Sequence, residues 1–168
     1  MARVLLTAEA EIGRRVVEVV ESSFRGLIRL DVVAADLGDV KARAYNKARG
    51  QIRADLLLDL LRPVRGWDRY VYVVEGDGYV PGLNFVFGVA HGHKAVVFTE
   101  RLRSAVELFE MRLAKEIVHE LGHTFGLGHC ADPRCVMYFS NTVRDTDLKG
   151  PGFCEACFAK LTRAFSEI

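Results

Sequence analysis

The sequence predicts an α/β fold: a mixed, mostly parallel five-stranded sheet, one long helix ending near residue 125, and an irregular C-terminal segment closed by a helix and a four-cysteine metal site. Three observations lead to it. Short β-branched runs alternate with 3.6-period apolar patterns over the first 125 residues, as expected of strands interleaved with helices. The run YVYVV within Arg69 to Glu75 is continuous enough for a strand buried on both faces. All four cysteines fall at 130, 135, 154 and 157, so they form one local feature instead of dispersed staples. A length of 168 residues, 50% of them apolar, suits one domain over 1–168. Residues 1–126 carry the sheet and the long helix, and 127–168 the C-terminal part.

Each element has a local reason. Val4 to Leu6 reads as a short strand, and Thr7 is placed to cap a helix with Glu9 and Glu11 in its first turn and Ile12, Val16, Val19 and Val20 on one face. Ile28 to Val33 is the next strand. After Asp39, Tyr45, Ala48, Ile52, Leu56 and Leu60 recur at spacings of three and four, which predicts one long helix stopped by Pro63. Arg69 to Glu75 follows as a central strand. GDGYVPG is turn chemistry, and NFVFG and KAVVFT are two strands joined around His91-Gly-His93, an exposed loop. Ser104 and Glu107 match a capping box for a helix burying Met111, Ala114, Val118, Leu121 and Phe125, and Gly126 and Gly128 mark its end. Glu155 to Ile168, with Phe158, Leu161 and Phe165, makes the closing helix.

Charge excludes little but suggests little. Lys+Arg 23 against Asp+Glu 22 gives a net charge of +1, with the signs interspersed, so no footprint for nucleic acid or an acidic membrane stands out. No apolar run approaches the ~18 residues of a membrane span, and Val4 to Leu6 is too short for an export signal. The expectation is a cytoplasmic, monomeric protein with neither nucleic acid nor membrane as partner.

The chemistry concentrates in HELGHTFGLGHC, His119 to Cys130. His119 and His123 are four apart on a helix, so both side chains leave one face and reach a common metal. Glu120 turns about 100° away around the helix and approaches a metal-bound water without displacing either imidazole. Gly126 lets the chain fold back, and His129 supplies a third nitrogen from the loop. Three neutral imidazoles leave one tetrahedral position of zinc for water, which distinguishes a catalytic site from a closed one. Zinc brings that water near pKa ~7, Glu120 takes its proton, and the resulting hydroxide attacks a peptide carbonyl.

Cys130-x4-Cys135 and Cys154-x2-Cys157, separated by 18 residues, suit a tetrahedral four-cysteine zinc. Such a site is saturated and structural, pinning a loop with too few apolar residues to fold by packing. Four-cysteine iron fits the same spacing, and a disulfide pair fits less well without an export signal.

His119-Glu-x-x-His123-x-x-Gly126-x-x-His129 followed by Cys130, Cys135, Met137, Cys154 and Cys157 resembles the archaemetzincins, a branch of the metzincin clan of zinc peptidases. The zinc motif and the methionine are the clan's, and the four cysteines mark the branch. The resemblance implies a compact metzincin-like fold in which His119, His123 and His129 bind a catalytic zinc and Glu120 is general base and acid. Met137 would form the Met-turn beneath the ligands, and the four cysteines would bind a second zinc. PGLNFVFG resembles the family's substrate-side edge strand, which implies substrate contacts at Asn84, Phe85, Val86, Phe87 and Gly88. An exposed strand edge does offer unpaired N–H and C=O groups to an extended peptide. Tyr138 follows the methionine directly, one residue short of the metal-binding tyrosine of some other metzincins, and is read as packing.

The reading is thus a peptidase with two zinc ions per chain and a peptide or protein substrate. Its rivals are a two-zinc binding protein with little or no proteolytic activity, and a zinc-stabilised nucleic-acid or protein-binding module.

Overall fold

The computed structural model describes residues 1–167, and Ile168, which the closing helix was expected to include, lies outside them. Five strands form the main sheet: β1 (Ala2–Ala8), β2 (Ile28–Ala34), β5 (Arg69–Val74), β7 (Gly88–His91) and β8 (Lys94–Phe98). Their order is β2-β1-β5-β8-β7, parallel except for β7, which runs antiparallel to β8 with Val89 opposite Val96. Mixed and mostly parallel, as the alternation implied, the sheet ends in β7 as one free edge.

Side-chain alternation along the strands sorts the apolar residues into two cores. Val4 and Leu6 of β1 and Val71 and Val73 of β5 pack under α1 (Arg14–Ser23) and α4 (Val106–Thr124). Leu5, Tyr70, Tyr72 and Val74 face the opposite way, onto α2 (Gly38–Ala44) and α3 (Ala54–Leu60). Cys135, Val136, Met137, Phe153 and Leu161 from the C-terminal part complete the first core, and Leu161 belongs to the closing helix α6 (Glu155–Ser166).

Several boundaries differ from the sequence expectation. β1 continues through Thr7, which pairs with Val33 and Tyr72, so Thr7 caps nothing and α1 starts after Gly13. The long helix expected after Asp39 is broken: α2 ends at Ala44, and a hairpin of β3 (Tyr45–Asn46) and β4 (Gln51–Arg53) precedes α3. Asn46 is the cause. Its Oδ1 accepts from the N–H groups of Ala48 (3.1 Å) and Arg49 (3.3 Å), offering the backbone a turn in place of a helix, and Gly50 closes that turn at φ 67°. β6 (Gly78–Tyr79) then joins β4 in a small second sheet.

The edge strand is displaced too. Asn84 to Val86 are irregular because their backbone is engaged elsewhere. The Asn84 carbonyl accepts from Arg49 (3.1 Å) and Gln51 (2.9 Å), and the Val86 N–H donates to the Gly78 carbonyl (2.8 Å). Pairing with β8 therefore begins only where the Phe98 N–H donates to the Phe87 carbonyl (2.8 Å), and β7 proper starts at Gly88. Ser104 and Glu107 make no capping box, since Ala105 holds the N-cap of α4 without a side-chain bond. The box lies at Thr142 and Asp145 instead, opening α5 (Val143–Leu148), a helix that the turn-rich sequence had hidden.

Candidate active site

α4 carries the histidines on its last turns and ends as the glycine required. The Leu127 N–H donates to the Gly122 carbonyl (3.0 Å) and the Gly126 N–H to that of His123 (2.9 Å), with Gly126 at φ 93°. This paired arrangement closes a helix around a left-handed glycine and turns the chain back towards its own end. Arg69 of β5 donates to the Thr124 carbonyl (3.1 Å) and covers the Phe125 ring, which caps the negative end of the helix.

The reversal brings His129 to His119 and His123, and the ligand nitrogens of the three lie within 4.8 Å of one another. Nδ1–H of His119 donates to the Val136 carbonyl (2.7 Å) and Nδ1–H of His123 to that of Leu127 (2.8 Å), fixing both tautomers with Nε2 unprotonated. Those two Nε2 atoms face each other at 3.1 Å. Two lone pairs so close repel unless a cation sits between them, and zinc with bonds of ~2.0–2.1 Å would set tetrahedral ligands about 3.3 Å apart. Burial pushes the imidazole of His119 well below its usual range and lowers His123 and His129 as well, so all three are neutral donors at neutral pH. The residues fit a zinc ion.

Glu120 lies beside them, 4% exposed, and its Oε2 is buried with no hydrogen-bond partner among the described residues. Burial, with Glu116 nearby, raises its carboxyl well above the ordinary range, and Lys149 opposes the rise. Gly88 of β7 makes room for it, since a Cβ there would lie 3.0 Å from Oε1. An orphaned carboxylate oxygen with a strong appetite for a proton is a candidate general base. In front of it a cleft of about 490 Å³ opens between β7 and the histidines, walled by Leu83, Val86 and Phe139 as well. His91 lines its end, and His93 is an exposed turn residue.

The four cysteine sulfurs form a second group within 4.8 Å, with Cys130 and Cys154 Sγ 3.8 Å apart and no disulfide among them. Tetrahedral thiolates on zinc at ~2.3 Å are separated by about 3.8 Å. Cys154 is the N-cap of α6, and the Cys157 N–H donated to its sulfur lowers its thiol, whereas burial pushes Cys135 and Cys157 up. Holding all four as thiolates therefore needs a cation at their centre, and this set fits a metal too.

Between the two groups runs the segment with Met137, whose three consecutive carbonyls are held by three elements. Val136 O accepts from His119, Met137 O from the Cys130 N–H (2.9 Å), and Tyr138 O from Lys149 Nζ (3.0 Å). Met137 is fully buried against α4 at Gly122, where a Cβ would meet its sulfur at 2.6 Å. Tyr138 is half-buried and does not line the cleft.

Sequence reasoning missed the ion pair that locks this segment. Lys149 Nζ lies 3.1 Å from Glu116 Oε1, with side chains 0% and 3% exposed, and the Thr146 hydroxyl donates to the same oxygen (2.9 Å). The only hint was Glu116 itself, a charge amid the apolar stripe of α4.

A sequence model described as Peptidase family M54 matches residues 15–163. Among curated proteins, the archaemetzincin of Methanopyrus kandleri is 47% identical over 144 residues, covering 78% of this chain and 82% of its own. That of Pyrobaculum aerophilum is 55% identical over 119 residues, covering 69% and 74%. The crystal structure of the Methanopyrus kandleri archaemetzincin superposes with a TM-score of 0.86 at 40% identity, covering 98% of this chain and 96% of that one. The Archaeoglobus fulgidus archaemetzincin, crystallised with malonate, gives 0.78 at 36% identity, covering 94% and 99%. Family match, relatives and fold agree with the histidine geometry, and the chain belongs to Peptidase family M54, the archaemetzincins, which makes it a zinc metallopeptidase.

Proposed function

We propose that the chain hydrolyses peptide bonds by attack of water activated at the histidine site, with Glu120 as general base and then general acid. His119, His123 and His129 would hold the catalytic zinc. Bound there, zinc supplies a Lewis acid that acidifies water and polarises the scissile carbonyl. Glu120 receives the proton at Oε2 and returns it to the departing amine, so its carboxyl serves both halves of the reaction. Met137 would act as the floor of the ligand cluster, and β7, through its free edge, would align an extended substrate by backbone hydrogen bonds. Cys130, Cys135, Cys154 and Cys157 would hold a second, structural zinc that keeps His129 in reach. Four unpaired thiols suit a reducing, cytoplasmic setting, and we take the enzyme to work as a monomer on peptides or proteins.

One observation carries this reading: the orphaned, buried Oε2 of Glu120 beside the histidines, at the wall of an open cleft. A protein that only binds metal has no use for such a carboxylate, whose burial is costly. Cleavage of a mixed peptide library, read by mass spectrometry, tests it. Glu120→Ala is expected to retain metal and fold while hydrolysis drops by at least about 10²-fold. Wild-type turnover in that variant would remove Glu120 from the mechanism, and no cleavage by either protein would leave the two-zinc binding module as the better description.

A further inference from the structure

A peptide stretched along β7 must direct alternate side chains to opposite faces of the sheet. Gly88 faces α4 and Glu120, whereas Val89 packs with the core on the α3 side. On that second side, between α3 and β7, lies a cavity of about 550 Å³ lined by Arg53, Asp55, Leu56, Asp59, His91 and Lys94, among others. Val89, Ala90 and His91 line both this cavity and the catalytic cleft, so the two are continuous along the free strand edge. We infer that this cavity is a substrate subsite of the cleft and takes the side chain of a lysine or arginine two or three residues from the scissile bond. The inference rests on the proposed peptidase reading.

The distance follows from the strand. Gly88 marks the catalytic carboxylate, and at about 3.3 Å per residue His91 stands roughly 10 Å further along, the span of three substrate residues. The charge preference follows from which groups are already engaged. Arg53 Nε donates to Asp55 (3.0 Å), and Lys94 Nζ donates to the carbonyls of Leu58 (2.7 Å) and Leu61 (3.0 Å) at the end of α3. Neither cation is available. Asp59, in contrast, has no hydrogen bond or ion pair among the described residues. It also sits one turn after Asp55 and in the last turn of α3. Its exposed carboxylate, at the negative end of the helix, is therefore open to a cationic side chain. Leu56, 37% exposed, together with Val89 gives the aliphatic stem of such a side chain an apolar wall.

The test walks Lys, Leu and Glu through each position of an eight-residue fluorescent peptide. Cleavage sites are mapped with the zinc-loaded wild type, and affinities are measured by anisotropy with zinc-loaded Glu120→Gln, with and without Asp59→Asn. At one position two or three residues from the cut, Lys is expected to bind about fivefold more tightly than Glu. That ratio falls below about twofold in 0.5 M salt and in the Asp59→Asn background, whose melting profile checks its fold. Equal affinities, a preference for Leu or Glu, a ratio insensitive to Asp59→Asn, or no peptide binding at all would overturn the subsite. Failure of the peptidase reading has a different signature: the Lys preference would persist in binding while wild type cut nothing.

Discussion

Replacing Lys149 by methionine tests the joint between the C-terminal segment and α4. Methionine keeps the length of the side chain, so packing changes little, but Glu116 is left with its charge buried at 3% exposure and the Thr146 hydroxyl as its one hydrogen-bond partner among the described residues. Removing one partner of a buried pair costs about 3–5 kcal/mol, chiefly the penalty of the abandoned charge. The lost bond from Nζ to the Tyr138 carbonyl adds about 1 kcal/mol. Against a domain stability of ~5–15 kcal/mol, that is a large fraction. Urea unfolding of the zinc-loaded protein at fixed free zinc should show the midpoint falling with an unchanged slope. Lys149→Met/Glu116→Gln, which removes both charges, should recover more than half of the loss. A single-variant effect below about 1 kcal/mol, or a double variant as damaged as the single one, would show that the pair is not what holds the segment.

The metal-free protein should lose stability on acidification. Burial lowers the folded-state values of His119, His123 and His129, so their contribution is present above the unfolded value near 6.5 and is lost as pH falls towards the folded ones. A flat stability profile between pH 7 and pH 5 would contradict that burial. Glu120 has the opposite sign: its raised value favours folding below about 4.5 and that contribution vanishes as pH rises, so Glu120→Gln should stabilise the metal-free protein at pH 7. Gly122→Ala forces a Cβ to 2.6 Å from the buried Met137 sulfur, and an overpacking cost of ~1–3 kcal/mol outweighs the ~1 kcal/mol gain in helix propensity. A higher denaturation midpoint would refute this, and Met137→Ala in the same chain should relieve the clash. Metal analysis should find two zinc ions per chain in the wild type and one in Cys154→Ser; two in the variant would dissolve the four-sulfur assignment.

What was legible in the sequence were features whose geometry is local. Histidines four apart on a helix share a face wherever the helix goes, and Gly126 closes it by its own backbone freedom. Four of the five strands were legible for a similar reason, and the apolar runs of β1, β5 and β8 are those of largely buried strands, with no competing explanation of that length. The helix expected through 39–63 failed where two local signals competed. Ile52, Leu56 and Leu60 recur with helical period, but Ile52 is buried as a strand residue and Leu56 is exposed. Two backbone N–H groups donating to one asparagine side chain decided between them. The edge strand slipped because the carbonyl of Asn84 is claimed by Arg49 and Gln51, more than 30 residues away.

The joint at 136–138 was illegible for a deeper reason. Its three carbonyls are held by His119, Cys130 and Lys149, and no spacing rule relates those residues to one another. Together they couple the two metal groups through one short stretch of backbone. His119 reaches it by its own Nδ1–H, the sulfur cluster by the residue that follows His129, and the buried ion pair by the residue after Met137. A segment with few apolar side chains cannot be positioned by packing alone, and directional bonds from three elements replace it. Disturbing the Lys149 tether should therefore loosen the histidine cluster without touching a ligand, and zinc competition with a chelator reads that loosening separately from unfolding. If Lys149→Met lowered stability yet left the zinc off-rate at the histidine site unchanged, the coupling would be confined to folding, and the backbone at 136–138 would be a scaffold without influence on the metal.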